Sequence, residues 1–403
     1  QTTRHFLCEV DLIRNINKIY HFFLVLLKQS AQPCVGGMTR ADQMPQIKAA
    51  VCHDFGKPLV VETVELRAPI GSELEVTLAA CAVCHSDISY ATGAWGGALP
   101  AVYGHEAAGH ITAVGEDVQG VKIGDPVVVT LIRSCGTCAP CSSGKPTICD
   151  TPYDGDYGPL RTVEGGMLHQ AMATGGFAEK VVVDHSQVVR IPENMDLAAA
   201  SLLACGVITG VGAVVNAAQL RAGQDVVVIG AGGVGLNSIQ GARIAGARRI
   251  VAIDMSDEKL KIAKHFGATD TILATQESPW CVAREALGRG ADAIFVTVGA
   301  AGAYNDAPRY IAKGGKVVMV GMPPSGAMSQ YEPGNFAATG QSLIGSKMGD
   351  AVIKRDIPWM IDLYAQGRLK LNELISEKYS LDEINEAIEA TKTGTAKRNV
   401  IVF

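Results

Sequence analysis

The chain has 403 residues and a net charge of −5 from 35 basic and 40 acidic side chains, with no long basic run. That balance argues against nucleic acid or an anionic membrane surface as the main partner. Apolar residues make up 48% and charged residues 19%, which suits a soluble globular protein with large buried sheets, and the length is too great for one hydrophobic core.

In chain order, the first stretch stands apart. "IYHFFLVLLK" is apolar but ends at Lys28, too short to span a bilayer. Arg14 and Lys18 precede it as in a signal peptide, but His21 interrupts it and no clean small-x-small cleavage site follows. Residues 1–40 are expected to be a non-homologous extension, disordered or artefactual, with a natural start at Met38 and a targeting segment as the alternative. Between residues 46 and 135, short β-rich runs such as "LEVTLAAC", "GHITAVG" and "DPVVVTLI" alternate with Gly/Pro breaks and predict an irregular β domain. Residues 151–174 read as a loop, and "FAEKVVVDHSQVVRIP" returns to strand character.

From about residue 207 the period changes. The buried runs "QDVVVIG", "RRIVAID", "ADAIFVTVG" and "GKVVMVGMP" alternate with helical patterns such as "DEKLKIAKHFGA". Fully apolar strands separated by helices predict a parallel sheet covered on both faces. "LDEINEAIEATKTG" reads as a helix and "RNVIVF" as a closing strand. The expected class is α/β: a doubly wound parallel sheet beside a β-rich domain.

Gly230, Gly232 and Gly235 form G-x-G-x-x-G directly after a strand and at the start of a helix. In that context the first glycine permits the turn, the second lets a pyrophosphate approach the backbone, and the third lets helix and strand pack closely. Asp254 ends the next strand, where a carboxylate can bind both ribose hydroxyls and repel a 2′-phosphate, so NAD is favoured over NADP. The ordinary alternative for Asp254 is an N-cap of the following helix.

The eleven cysteines are clustered, which fits metal ligation better than a disulfide framework. Cys84 in "CAVCHSD", His105 in "GHE" and Cys205 in "LLACGVITG" are ligands of the type zinc prefers. Each alone could equally be a buried apolar cysteine or a histidine at a turn.

Taken together, "CHSD", "GHEAAGHITAVGEDV", "GDPVVV", "CGTCAPC…C", "LLACGVITG", "VVVIGAGGVGLN" and "VAID" resemble the zinc-dependent alcohol dehydrogenases of the medium-chain dehydrogenase/reductase superfamily, over roughly 90% of the chain. The resemblance implies a GroES-like catalytic domain at 41–206, completed by 348–403, and an NAD-binding Rossmann domain at 207–347. It implies reversible oxidation of a primary or secondary alcohol to an aldehyde or ketone. Cys84, His105 and Cys205 would hold a catalytic zinc, with Glu106 nearby, Asp87 orienting the histidine, and Ser86 taking the alcohol proton. Thr209, Lys259, His85 and Arg398 match cofactor-contacting positions. Ser89 stands where the best-known animal enzymes carry a relay histidine, so the relay is expected to end in ribose hydroxyl and water or to use another base.

Cys135, Cys138, Cys141 and Cys149 are separated by two, two and seven residues. An iron–sulfur run would favour a shorter last gap, and disulfides between cysteines three apart would be strained. A closed Cys₄ zinc suits the spacing, and the resemblance places the family's structural zinc there. Cys8, Cys34, Cys52, Cys81 and Cys281 are expected to be non-ligands. Trp95 and Met348 are expected to wall the substrate pocket. The long 151–174 loop favours a homodimer over a homotetramer, and a cytoplasmic location is expected.

Overall fold

The computed structural model describes residues 44–153, 158–394 and 396–403. The extension expected at 1–40 lies outside the described residues.

Six parallel strands form one sheet in the order Asp270–Leu273, Arg249–Asp254, Asp225–Ile229, Ala291–Val296, Ile311–Met319 and Ser342–Gly345. Counted along the chain this is 3-2-1-4-5-6, the doubly wound order. The strand Asp225–Ile229 is buried at every position because both faces are covered. Alternate side chains feed two cores: Val226 and Val228 pack with Leu236 and Ile239, while Val227 and Ile229 pack with Val251 and Ile294. Each such aliphatic side chain contributes about 1.5–3 kcal/mol when fully buried. The chain reverses direction across this central strand, and the glycine loop leaves from its C-terminal end, where open α/β sheets bind ligands.

The β-rich part has two further sheets. One orders Leu160–Thr162, Val60–Leu66, Gln46–Cys52, Ala101–Val102 and His169–Gln170. The other runs from Val188–Arg190 through Pro126–Val129, Glu106–Val114 and Glu73–Val83 to Arg398–Val402 and Ile375–Ser380, with Lys180–Asp184 also paired to Glu73–Val83. The last strand of the chain therefore returns to the first half. The helix expected near the C-terminus spans Ile384–Lys392, after a short 3₁₀ turn at Leu381–Glu383. Among the described residues no single helix is long and apolar enough to cross a membrane.

Candidate active site

Two strand registers and one helix break build the reactive cluster. Strand Glu73–Val83 pairs antiparallel with Glu106–Val114, with Ala82 opposite Glu106. That register brings Cys84, just past one strand, beside His105, just before the other. Cys205 comes from a different segment. It sits at the break between the 3₁₀ turn Leu202–Ala204 and the helix Gly206–Gly212, with φ −144° and ψ −69°. One ligand atom from each of Cys84, His105, Glu106 and Cys205 lies within 4.8 Å of the others, and all four residues are buried.

Asp87 organises this corner. It stands in the first turn of helix His85–Ala91, whose N-cap is Cys84, and is 1% exposed. Its carboxylate accepts hydrogen bonds of 2.9 Å from the Cys84 and Gly104 amides and pairs with His105 Nδ1 at 2.9 Å. Gly104 has φ +92°, and a Cβ there would lie 2.5 Å from Phe177 N, so only glycine fits. With Nδ1 held by Asp87, His105 presents Nε2 to the cysteines, and that buried atom has no hydrogen-bond partner among the described residues. Burial pulls the imidazole pKa down, but the Asp87 carboxylate outweighs it and the net shift is upward. The two thiols perturb each other most: Cys84 is held low and Cys205 high. Two sulfurs and an orphaned imidazole nitrogen, closely packed and excluded from water, are the donor set of a site for a borderline-soft divalent cation. Zinc therefore fits these residues.

Glu106 is fully buried, and burial pushes its carboxyl up to about 8 against the pull of Arg398. Arg398 Nη1 lies 3.4 Å from Glu106 Oε1. The guanidinium also fills the space over two glycines, since a Cβ on Gly206 would fall 2.0 Å from Nη2 and one on Gly233 2.7 Å from Nε. Arg398 thus touches both the reactive cluster and the start of helix Gly233–Ile244. Its place follows from strand register: Asn399 lies opposite Val83, which sets Arg398 beside Cys84.

The glycine loop behaves as its spacing predicts. Gly230 has φ +99°, and a Cβ on Gly235 would fall 1.8 Å from Gly230 O, whereas a Cβ on Gly232 meets nothing within 4 Å among the described residues. The middle glycine is therefore open to an approaching ligand. Asp254 accepts from Ala231 N at 2.7 Å and Ser256 N at 3.0 Å, so it braces this loop. The alternative reading of Asp254 as N-cap is corrected: Ser256 caps helix Asp257–Phe266 by accepting from Lys259 N at 3.4 Å. Lys259 Nζ reaches Gly394, where a Cβ would be 3.3 Å away. His85 is held below its ordinary pKa by desolvation and by the charges of Arg398 and Lys259, with Cys84 opposing. Ser86 Oγ lies 3.7 Å from Cys84 Sγ, and Ser89 follows on the same helix. Thr209 is 7% exposed, one turn beyond Cys205.

Of the two expected pocket walls, Met348 has Sδ 3.8 Å from Cys205 Sγ and 3.7 Å from Thr209 Oγ1. Trp95 donates Nε1–H to Pro323 O at 3.2 Å, tying the β-rich half to the loop after strand Ile311–Met319. The sequence reading missed the Arg398–Glu106 pair and the contact of Met348 with Cys205, because both join segments far apart in the chain.

The second cluster is local. The ligand atoms of Cys135, Cys138, Cys141 and Cys149 also lie within 4.8 Å of one another. Cys138 and Cys149 sulfurs are 3.8 Å apart, which matches the edge of a tetrahedron with bonds of about 2.3 Å. Amides donate to the sulfurs, Cys138 N to Cys135 at 3.3 Å and Cys135 N to Cys149 at 3.4 Å. The Thr151 hydroxyl, followed by the Cys138 and Thr137 amides, lowers the Cys135 thiol to about 5, while burial and Cys138 raise Cys141 to about 12. Four sulfurs leave no open ligand position at a tetrahedral ion.

Comparison with known proteins points the same way. Residues 71–193 match the family described as the alcohol dehydrogenase GroES-like domain, and 233–366 match zinc-binding dehydrogenase. The chain is 36% identical to the NDMA-dependent alcohol dehydrogenase of Amycolatopsis methanolica, over 88% of this chain and 98% of that one. Among solved structures, an alcohol dehydrogenase zinc-binding domain protein from Burkholderia ambifaria superposes with a TM-score of 0.86 at 31% identity, over 89% of this chain and 99% of that one. The benzyl alcohol dehydrogenase of Acinetobacter calcoaceticus gives a TM-score of 0.84 at 28% identity, over 89% and 100%.

Proposed function

This chain belongs to the zinc-dependent alcohol dehydrogenases of the medium-chain dehydrogenase/reductase superfamily, and from that premise we propose that it oxidises a primary or secondary alcohol with NAD as hydride acceptor, at a zinc held by Cys84, His105 and Cys205. The observation that carries the reading is the orphaned Nε2 of His105, fixed by Asp87 and facing two thiols, with Arg398 reaching from this cluster to the helix that follows the glycine loop. A second zinc on Cys135, Cys138, Cys141 and Cys149 has a structural role.

When bound, zinc supplies Lewis acidity that lowers the pKa of an alcohol hydroxyl, and NAD supplies the carbon that accepts the hydride. The chain's own residues do the rest. Asp87 holds the His105 ring in one orientation and strengthens it as a donor. Ser86 Oγ accepts the alcohol proton and passes it to ribose hydroxyl and water, since Ser89 offers no base. Glu106 stands behind the cluster beside Arg398, whose guanidinium also faces the phosphate-binding end of helix Gly233–Ile244. Gly232 admits the pyrophosphate, Asp254 holds the loop and the ribose, and Lys259, His85 and Thr209 line the rest of the cofactor path. Residues 41–206 with 348–403 act as the catalytic domain and 207–347 as the cofactor domain. The free enzyme is taken to be a cytoplasmic homodimer; a cytoplasmic setting keeps the exposed lobe thiols reduced for metal.

The test is NADH formation from a panel of short aliphatic, long aliphatic and benzylic alcohols, with and without chelator, and with a parallel arm using NDMA as electron acceptor. NAD reduction that stops on chelation is the expected result. Turnover of no alcohol or aldehyde in either arm, with NAD still bound, would overturn the reading.

A further inference from the structure

The turn Met348–Asp350 is strained. Met348, Gly349 and Asp350 have φ of +53°, +67° and +49°, three successive left-handed residues of which two carry side chains. Non-glycine residues persist in that region only where the surroundings over-determine them, and such strain gathers at functional sites.

The surroundings here do over-determine it. Gly349 is pressed backbone-to-backbone on helix Gly206–Gly212: a Cβ on Gly349 would fall 2.2 Å from Ile208 O, and one on Gly212 would fall 2.4 Å from Gly349 O. Asn216 donates to Gly349 O at 3.1 Å and to Asp356 Oδ2 at 3.1 Å. Asp356, 5% exposed, also accepts from Val352 N at 2.9 Å and is gripped by Arg355. The 3₁₀ turn Pro146–Ile148 of the four-cysteine lobe also lies against this turn, and Lys145 interacts electrostatically with Asp350. The side chain held in place by all this is Met348, whose thioether touches Cys205 Sγ and Thr209 Oγ1.

We propose that Met348 is a positioning residue of the reactive centre: the strained turn fixes its thioether against Cys205 and Thr209, setting the Cys205 sulfur and shielding it from solvent. A methionine is suited to this task because its polarisable, unbranched end fills an irregular gap beside a sulfur without competing as a charged ligand. A simple core role would not need left-handed backbone on both sides of a glycine. The inference rests on the reading of Cys205 as part of the reactive centre, but its first readout, the chemical reactivity of one thiol, is independent of turnover.

The experiment compares Met348→Gly and Met348→Leu. Glycine removes the thioether and is at ease at φ +53°, so the variant should fold. In protein as purified, alkylation by iodoacetamide is followed residue by residue by mass spectrometry. Met348→Gly should speed modification of Cys205 by about tenfold or more while buried Cys52 and Cys81 stay at the wild-type rate. It should also lower kcat by between about ten- and a hundredfold, the scale of a small misplacement, with a much smaller change in KM. Met348→Leu, of matching volume, should recover most of both. Wild-type reactivity of Cys205 in Met348→Gly would overturn the proposal, as would equal acceleration at Cys52 and Cys81, which would mark general loosening.

Discussion

The molecule has two clusters of metal-type ligands, and they are built in opposite ways. Cys135, Cys138, Cys141 and Cys149 come from fifteen consecutive residues, lie near the surface and are organised by their own amides. Cys84, His105 and Cys205 come from three distant segments, are buried, and are organised by strand register, a helix break and the Asp87 carboxylate. A local loop can close around an ion at little cost to the rest of the fold. A cluster that needs two strands and a helix break in register is set by the whole domain, which suits a centre that must hold geometry against a cofactor. The proposed division, a stabilising role for the first and a chemical role for the second, draws on this difference.

The largest expected effect that sharpens this contrast is Cys84→Ala, which should lower activity by at least about 100-fold, the upper range for losing even a ligand's orienting partner, with melting little changed. Full activity in this variant would erase the distinction. Asp87→Asn should come next, with a loss of about 10–100-fold in activity or metal affinity, because the amide no longer holds His105 as an anion does. Unchanged metal affinity and turnover would remove Asp87 from the account. Cys138→Ala should do the reverse of Cys84→Ala: Tm falls by several degrees while the activity of the remaining folded enzyme falls less. Lost turnover with unchanged melting would mean the two roles are wrongly divided. The smallest effect belongs to Asp254→Ala, which should weaken NAD by roughly tenfold, the worth of about one lost hydrogen bond, and relax discrimination against NADP. An unaltered NAD/NADP ratio of kcat/KM would count against the ribose assignment.

The same contrast explains what could be read before any coordinates. The lobe was legible in the spacing of four cysteines, and the glycine loop in G-x-G-x-x-G after the buried run "QDVVVIG", because both are local. The doubly wound sheet was legible for the same reason: each strand is a continuous apolar run between helical periods. Cys84, His105 and Cys205 were placed together only through resemblance, since no spacing rule joins segments linked by sheet register. Arg398 shows the limit most clearly. Its pairing with Glu106 depends on the last strand returning to pair with Glu73–Val83. Nothing local to "RNVIVF" specifies that partner. The left-handed turn at Met348–Asp350 was equally hidden, because Met and Asp do not announce a positive φ as glycine does.

Metal analysis of wild type and Cys84→Ala, run beside activity, tests the central claim most directly. The account predicts two zinc ions per chain in the wild type and one in an inactive but folded variant. Two ions retained in Cys84→Ala, or turnover without the second, would contradict it.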